Sequence, residues 1–219
     1  MNLEFSETQL DNIADQLADQ GYLVLTQTIE KKLLLSLKQR ALSISKAQWR
    51  EAGVGRAKQF QVDKQVRSDK IHWISPSDPI EKNFLALMDN LRHGLNRRLF
   101  MGLFDYESHF AIYQPGEFYQ KHIDALKGRS NRVLSTVLYL NENWQETDAG
   151  ELVLYPPKNS KPLKAQSALL KVAPQLGTMI IFLSEKFPHE VLAAQQTRYS
   201  IAGWFRVNNN HGGLIDPAR

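Results

Sequence analysis

"GTMIIFLSEKFPHEVLAAQQTRYSIAGWFRV", residues 177–207, holds three apolar runs divided by two short polar segments. In the first division, Pro188 and the polar residues before it mark a turn that opens a new strand at His189. The same grammar extends upstream. "HFAIY" (109–113), "FYQKHI" (118–123), "RVLSTVLYL" (132–140), "GELVLYP" (150–156) and "SALLKVA" (167–173) precede "GTMIIFL" (177–183), "HEVLA" (189–193) and "RYSIAGWFRV" (198–207). Eight short strands at this close spacing predict a sandwich or barrel over about residues 109–207.

The N-terminal half reads differently. Ser6 and Gln9 form a capping box, and Leu10, Ile13 and Leu17 recur at helical spacing up to Gly21. "YLVLT" (22–26) then reads as a strand, followed by a helix over residues 29–43 with Leu33, Leu34, Leu37 and Leu42 on one side. Asp78, Pro79 and Glu81 supply an N-cap, an N1 proline and an N3 carboxylate for a third helix, striped by Ile80, Phe84, Leu87, Leu91 and Leu95. These helices would brace one face of the β core. Between the second and third lies "EAGVGRAKQFQVDKQVRSDKIHWIS" (51–75), a charged excursion flanking a strand at "KIHWI"; such long connections are either functional or solvated insertions.

No repeat or linker divides the 219 residues, so one domain is expected. Helical support and the excursion would occupy about 1–108, the β core 109–207, and a polar tail, "NNNHGGLIDPAR", 208–219. A composition of 42% hydrophobic and 23% charged residues suits a globular protein with a substantial core. The absence of cysteine excludes disulfides, thiolate nucleophiles, zinc ribbons and iron–sulfur clusters, so any metal must use His, Asp or Glu. The net charge of +4 comes from scattered basic residues, which argues against a stable nucleic-acid partner. With no secretion signal and no run approaching the ~20 apolar residues of a membrane span, the expected location is the cytoplasm.

His122 and Asp124 stand two apart in a segment that reads as a strand, so both side chains would project from one face. A third ligand would complete a facial set of two histidines and one carboxylate, which leaves three positions open at a non-haem Fe(II) centre. His189 is the candidate; His72, His93, His109 and His211 lack a carboxylate at strand spacing. By itself H-x-D is also the pattern of a surface histidine beside an aspartate. Arg198 and Ser200 share a face of the last strand by the same alternation. An inward arginine is costly unless it meets an anion, either a carboxylate-bearing cosubstrate or a structural Asp or Glu.

H-x-D, a histidine some 65 residues later and R-x-S on the final strand together resemble the iron- and 2-oxoglutarate-dependent dioxygenases, and within them the prolyl 4-hydroxylases. "DKIHWI" (69–74), "YQPG" (113–116), "LYLNENW" (138–144), "GELVLYP" (150–156), "PHEV" (188–191) and "TRYSIAGWF" (197–205) bring the likeness closer to the animal hypoxia-sensing prolyl hydroxylases and their bacterial relatives, over about residues 55–207. The resemblance implies a double-stranded β-helix, or jelly roll. It implies Fe(II) on His122, Asp124 and His189, and 2-oxoglutarate held by Arg198 and Tyr139 beside Tyr113 and Ser200. O2 would be the second cosubstrate and L-ascorbate the reductant. It further implies a mobile loop over residues 55–70, tied to the barrel by Asp69 and Arg132, with Arg67, Asp69 and Trp204 contacting a target proline. The product would be trans-4-hydroxyproline in a cytosolic protein; bacterial relatives resemble modifiers of a translation elongation factor. The stretch "GRAKQFQVDKQV" (55–66) departs from the animal loop and carries no substrate identity across. Two other readings stand beside this one. The same chemistry could act on a small molecule or nucleobase, although residues 55–70 hold only Phe60 for base stacking. A catalytically silent, ligand-binding barrel is the other, and Trp204 and Tyr139 would also serve as core packing.

Overall fold

The structure is a computed structural model, and it describes residues 3–53, 63–125, 131–157 and 167–208. Helix α1 (Glu7–Asp19) opens with the expected capping box: Ser6 Oγ accepts from the Gln9 amide at 3.2 Å while the Ser6 amide donates to Gln9 Oε1 at 2.8 Å. Gly21 follows it at φ +82, a left-handed turn that a side chain would strain. The turn leads into β1 (Tyr22–Leu25). Helix α2 is Lys31–Ser43, and its buried ladder is Leu33, Leu34, Leu37 and Ala41. Leu42, expected on this face, is 50% exposed, because it sits one residue and hence about 100° beyond the 33–37–41 row. Helix α3 (Pro79–Leu99) is capped by Asp78, whose side chain accepts from the Ile80 and Glu81 amides. Glu81 turns away from its own helix, accepting from the Ser75 amide at 2.7 Å and pairing with Arg40 at 2.8 Å.

The remaining strands are β2 (Arg50–Glu51), β3 (Lys70–Trp73), β4 (Leu103–Tyr113), β5 (Tyr119–His122), β6 (Arg132–Tyr139), β7 (Leu152–Leu154), β8 (Leu170–Val172), β9 (Met179–Leu183), β10 (His189–Val191) and β11 (Arg198–Val207). Seven of the eight expected segments contain one of them, and the eighth, 109–113, is the C-terminal half of the longer β4. They form a seven-stranded sheet, β1-β9-β6-β11-β4-β3-β2, and a four-stranded sheet, β5-β10-β7-β8, and every described strand pair is antiparallel. The N-terminal strands β1, β2 and β3 enter the larger sheet, so the N-terminal half contributes more than helical bracing.

Alternation along the central strands divides the core. Leu134, Leu138, Met179, Ile181, Ile201 and Phe205 face the helices, in a cluster with Leu10, Leu37, Phe84 and Leu91. Their neighbours Tyr139, Ile180 and Phe182 face the smaller sheet and pack against Leu152, Leu154 and Phe187. On the helix side Tyr106 of β4 reaches across β11 to bond Thr136 Oγ1 of β6 at 2.8 Å, passing over Gly203. A Cβ at Gly203 would lie 2.2 Å from the tyrosine oxygen, so only glycine lets this strap form.

Candidate metal centre

Alternation puts Arg198, Ser200, Ala202 and Trp204 of β11 on the face opposite the helices. Register sets Ser200 beside Ala111 and Tyr139, and Arg198 beside Tyr113. From the smaller sheet β5 and β10 bring His122 and His189 directly opposite one another. The two sheets flank a cavity, open to solvent on one side, of about 480 Å³ counted out to its mouth.

At one end, His122, Asp124 and His189 offer ligand atoms that all lie within 4.8 Å of one another, a group that could hold a metal ion. His122 Nε2 is 3.5 Å from Asp124 Oδ1, and His189 Nε2 is 3.7 Å from Asp124 Oδ2. The convergence differs in origin from the expectation. Strand β5 ends at His122, and Asp124 lies at a bend just beyond it, so a change of chain direction brings the carboxylate round rather than strand alternation. Each imidazole sets Nδ1 on a backbone carbonyl, His122 on Gln120 at 2.7 Å and His189 on Phe187 at 3.2 Å. Carbonyls accept, so Nδ1 carries the proton and Nε2 presents its lone pair inward. Burial and the neighbouring His122 lower His189 to about 4, which keeps it neutral. Burial alone would raise Asp124, but His189, His122 and Ser135 overcome it and hold the carboxyl well below its usual range. Ser135 Oγ donates to Asp124 Oδ2 at 2.6 Å and is itself 2.9 Å from Ser184 Oγ. Two imidazoles that present Nε2 and one ionised carboxylate fit a first-row divalent ion such as Fe(II).

Arg198 lines the same cavity, between the faces of Tyr113 and Tyr139 at 5.0 and 4.9 Å. Its Nη1 reaches Ser200 Oγ at 3.4 Å; Nε, Nη2 and the Tyr139 hydroxyl have no hydrogen-bond partner among the described residues. Burial raises the Tyr139 phenol, so it stays protonated as a donor. Buried donors around a permanent cation fit a carboxylate, as 2-oxoglutarate would provide.

The side chains expected at the substrate mouth are rearranged. Asp69 is gripped by Arg67, Nε to Oδ1 at 2.6 Å and Nη2 to Oδ2 at 2.9 Å. Arg132 instead pairs with Glu107 at 2.8 Å and lies over the Trp204 ring at 3.6 Å. The expected Asp69–Arg132 tie is thus replaced by two shorter-range pairs, since Arg67 reaches Asp69 from two residues away and Glu107 lies beside Arg132. Residues 55–62 of the expected loop, Phe60 included, and residues 209–219 of the expected tail lie outside the described residues. Sequence reasoning missed Tyr119, Ser135, Ser184 and Glu107. Ser135 was findable, because it lies four residues before Tyr139 on one strand and so shares its face.

A family model described as the 2OG-Fe(II) oxygenase superfamily matches residues 108–206. A prolyl-4-hydroxylase from Pseudomonas putida superposes with a TM-score of 0.80 at 34% identity, covering 91% of this chain and 100% of that one. A Trichoplax adhaerens prolyl hydroxylase, solved with a peptide of the hypoxia inducible factor oxygen degradation domain, gives 0.79 at 25% identity, covering 91% and 90%. Egl nine homolog 1 of Homo sapiens is 30% identical over 151 residues, 65% of this chain and 33% of that protein. The matched regions amount to between 20% and 42% of the first four curated relatives' lengths. The paired antiparallel sheets are the jelly roll of these prolyl hydroxylases.

Proposed function

We propose, because the chain belongs to the 2OG-Fe(II) oxygenase superfamily and is homologous to prolyl hydroxylases, that it hydroxylates a prolyl residue of a cytosolic protein, at the trans-4 position. The observation that carries the reading is the pairing, in one cavity, of a His-Asp-His cluster with a buried arginine whose Nε and Nη2 are unspent among the described residues. When bound, Fe(II) with 2-oxoglutarate and O2 supplies the oxidation: one oxygen atom enters the substrate C–H bond, the other enters succinate, and CO2 is released.

The chain's own residues bind and orient. His122, Asp124 and His189 hold the ion, with Ser135 fixing the carboxylate and the Nδ1 bonds setting the tautomer of both rings. Arg198 and Tyr139 take the distal carboxylate of 2-oxoglutarate, and Ser200 and Tyr113 complete that end. Tyr113, Ile180 and Phe182 keep the interior apolar and exclude water. Arg67, Asp69, Arg132 and Trp204 shape the mouth where a peptide would present its proline. Ascorbate would serve as the reductant, and a translation elongation factor is the first protein substrate to assay. Among the described residues no helix is long and apolar enough to cross a membrane.

The test is incubation of the Fe(II) protein with 2-oxoglutarate, O2 and candidate proteins, scored by mass spectrometry for a gain of one oxygen and by succinate release. A gain located on proline and lost in Asp124→Ala supports the reading. Succinate without a modified protein redirects it to a small molecule or nucleobase, and no succinate at all leaves a silent barrel.

A further inference from the structure

We infer that Arg67 and Tyr119 are positioning residues for His122, and that metal binding and the docking of segment 65–69 on β5 are energetically coupled. This rests on the reading of His122 as a metal ligand.

The geometry begins with an irregularity. On β10, His189 and Val191 are two residues apart, yet they oppose His122 and Tyr119, which are three apart, so β5 carries an extra residue there. The extra residue brings Tyr119 and His122 to the same side of the strand. Their rings stack with centroids 3.5 Å apart and planes 15° from parallel. His122 lies at the end of a short edge strand, where the bond from Nδ1 to Gln120 leaves the ring free to swing about that contact. A face-to-face neighbour removes that freedom.

Tyr119 is in turn held by a second neighbour. The Arg67 guanidinium lies 4.7 Å from the ring centroid, a cation–π contact. Arg67 is itself fixed, because both its bonds to Asp69 end on a carboxylate of 0% exposure. The backbone of this segment is hydrogen-bonded to β5. The Gln120 amide donates to Val66 O at 2.9 Å, the Ser68 amide to Phe118 O at 3.2 Å, and the Phe118 amide to Ser68 Oγ at 2.9 Å. Guanidinium, phenol and imidazole thus make consecutive contacts, Arg67 to Tyr119 and Tyr119 to His122, that lead from the segment before β3 to the His-Asp-His group. Neither Arg67 nor Tyr119 belongs to the donor set. Coupling of this kind is reciprocal: if the docked segment orients His122, an ion on His122 stabilises the docked segment by the same factor.

The test titrates metal-free protein with Co(II), without cosubstrate or peptide, reading affinity and the visible absorption of the bound ion, and follows amide exchange of residues 65–69. Tyr119→Leu is expected to weaken Co(II) binding about tenfold or more, the range for groups that orient a ligand, and to change its spectrum. Tyr119→Phe keeps the ring and should restore both. Arg67→Gln should fall between the two, and Co(II) should slow exchange at 65–69 in the wild type but not in Tyr119→Leu. A folded Tyr119→Leu variant with wild-type affinity and spectrum would overturn the inference, as would exchange at 65–69 indifferent to metal. If the wild type takes up no more Co(II) than His122→Ala, the metal-site reading itself fails, a result distinct from loss of the coupling alone.

Discussion

Around Arg198, 1% exposed, stand a hydroxyl at 3.4 Å and two aromatic faces, and none of these carries negative charge. A guanidinium cannot shed its proton to escape such a site. A bound carboxylate therefore gains hydrogen bonds to a charged group, each worth about 1.5–3 kcal/mol. Arg198→Gln should raise the KM for 2-oxoglutarate by at least about tenfold, one bond's worth, while Co(II) affinity measured without cosubstrate stays within about twofold. Steady-state succinate assays and metal titration check the two halves. The alternation rule alone paired Arg198 with Ser200, and H-x-D marked two residues of the metal cluster. Tyr119 was illegible, because the extra residue on β5 breaks the two-residue period on which such reading depends.

At the scale of the element, three central strands are laced by the Tyr106 side chain, which crosses Gly203 to reach Thr136. Gly203→Ala would place a methyl where the tyrosine oxygen sits, displacing a ring packed between Phe84 and Phe205. The expected loss is about 2–4 kcal/mol, overpacking plus a broken buried hydrogen bond, read as a lower urea midpoint. Tyr106→Phe removes the hydrogen bond alone and should lose only about 1–2 kcal/mol in the same measurement. Turn residues and apolar runs located all eight C-terminal strands but left their lengths open. Strand β5 stops before Asp124, since strand ends are set by the partner's hydrogen bonds and not by the strand's own residues.

Over the whole molecule, His109 links distant parts of the chain. It is buried on β4 between Trp73 of β3 and Trp204 of β11, at 5.3 and 5.5 Å. Burial, with Arg67 adding to it, lowers its pKa to about 3. The unfolded chain, titrating near 6.5, binds this proton first as pH falls, so the stability His109 contributes is complete above about pH 6.5 and drains away towards pH 3. His109→Phe keeps the ring stack and should flatten the stability profile between pH 4 and 6 by about 1.4 kcal/mol per pH unit, measured by urea unfolding. The sequence by itself determined the class of fold and the three helices, and it named His122, Asp124, His189 and Arg198, which all line one cavity, because periodicity, caps and ligand chemistry are local properties. Only the tertiary structure decided that β1, β2 and β3 join the larger sheet, that Asp124 reaches the cluster round a bend, and that Arg67 takes Asp69 while Glu107 takes Arg132. Which partners meet depends on strand register and on the bulge in β5, and these are fixed by pairings between segments far apart in the chain.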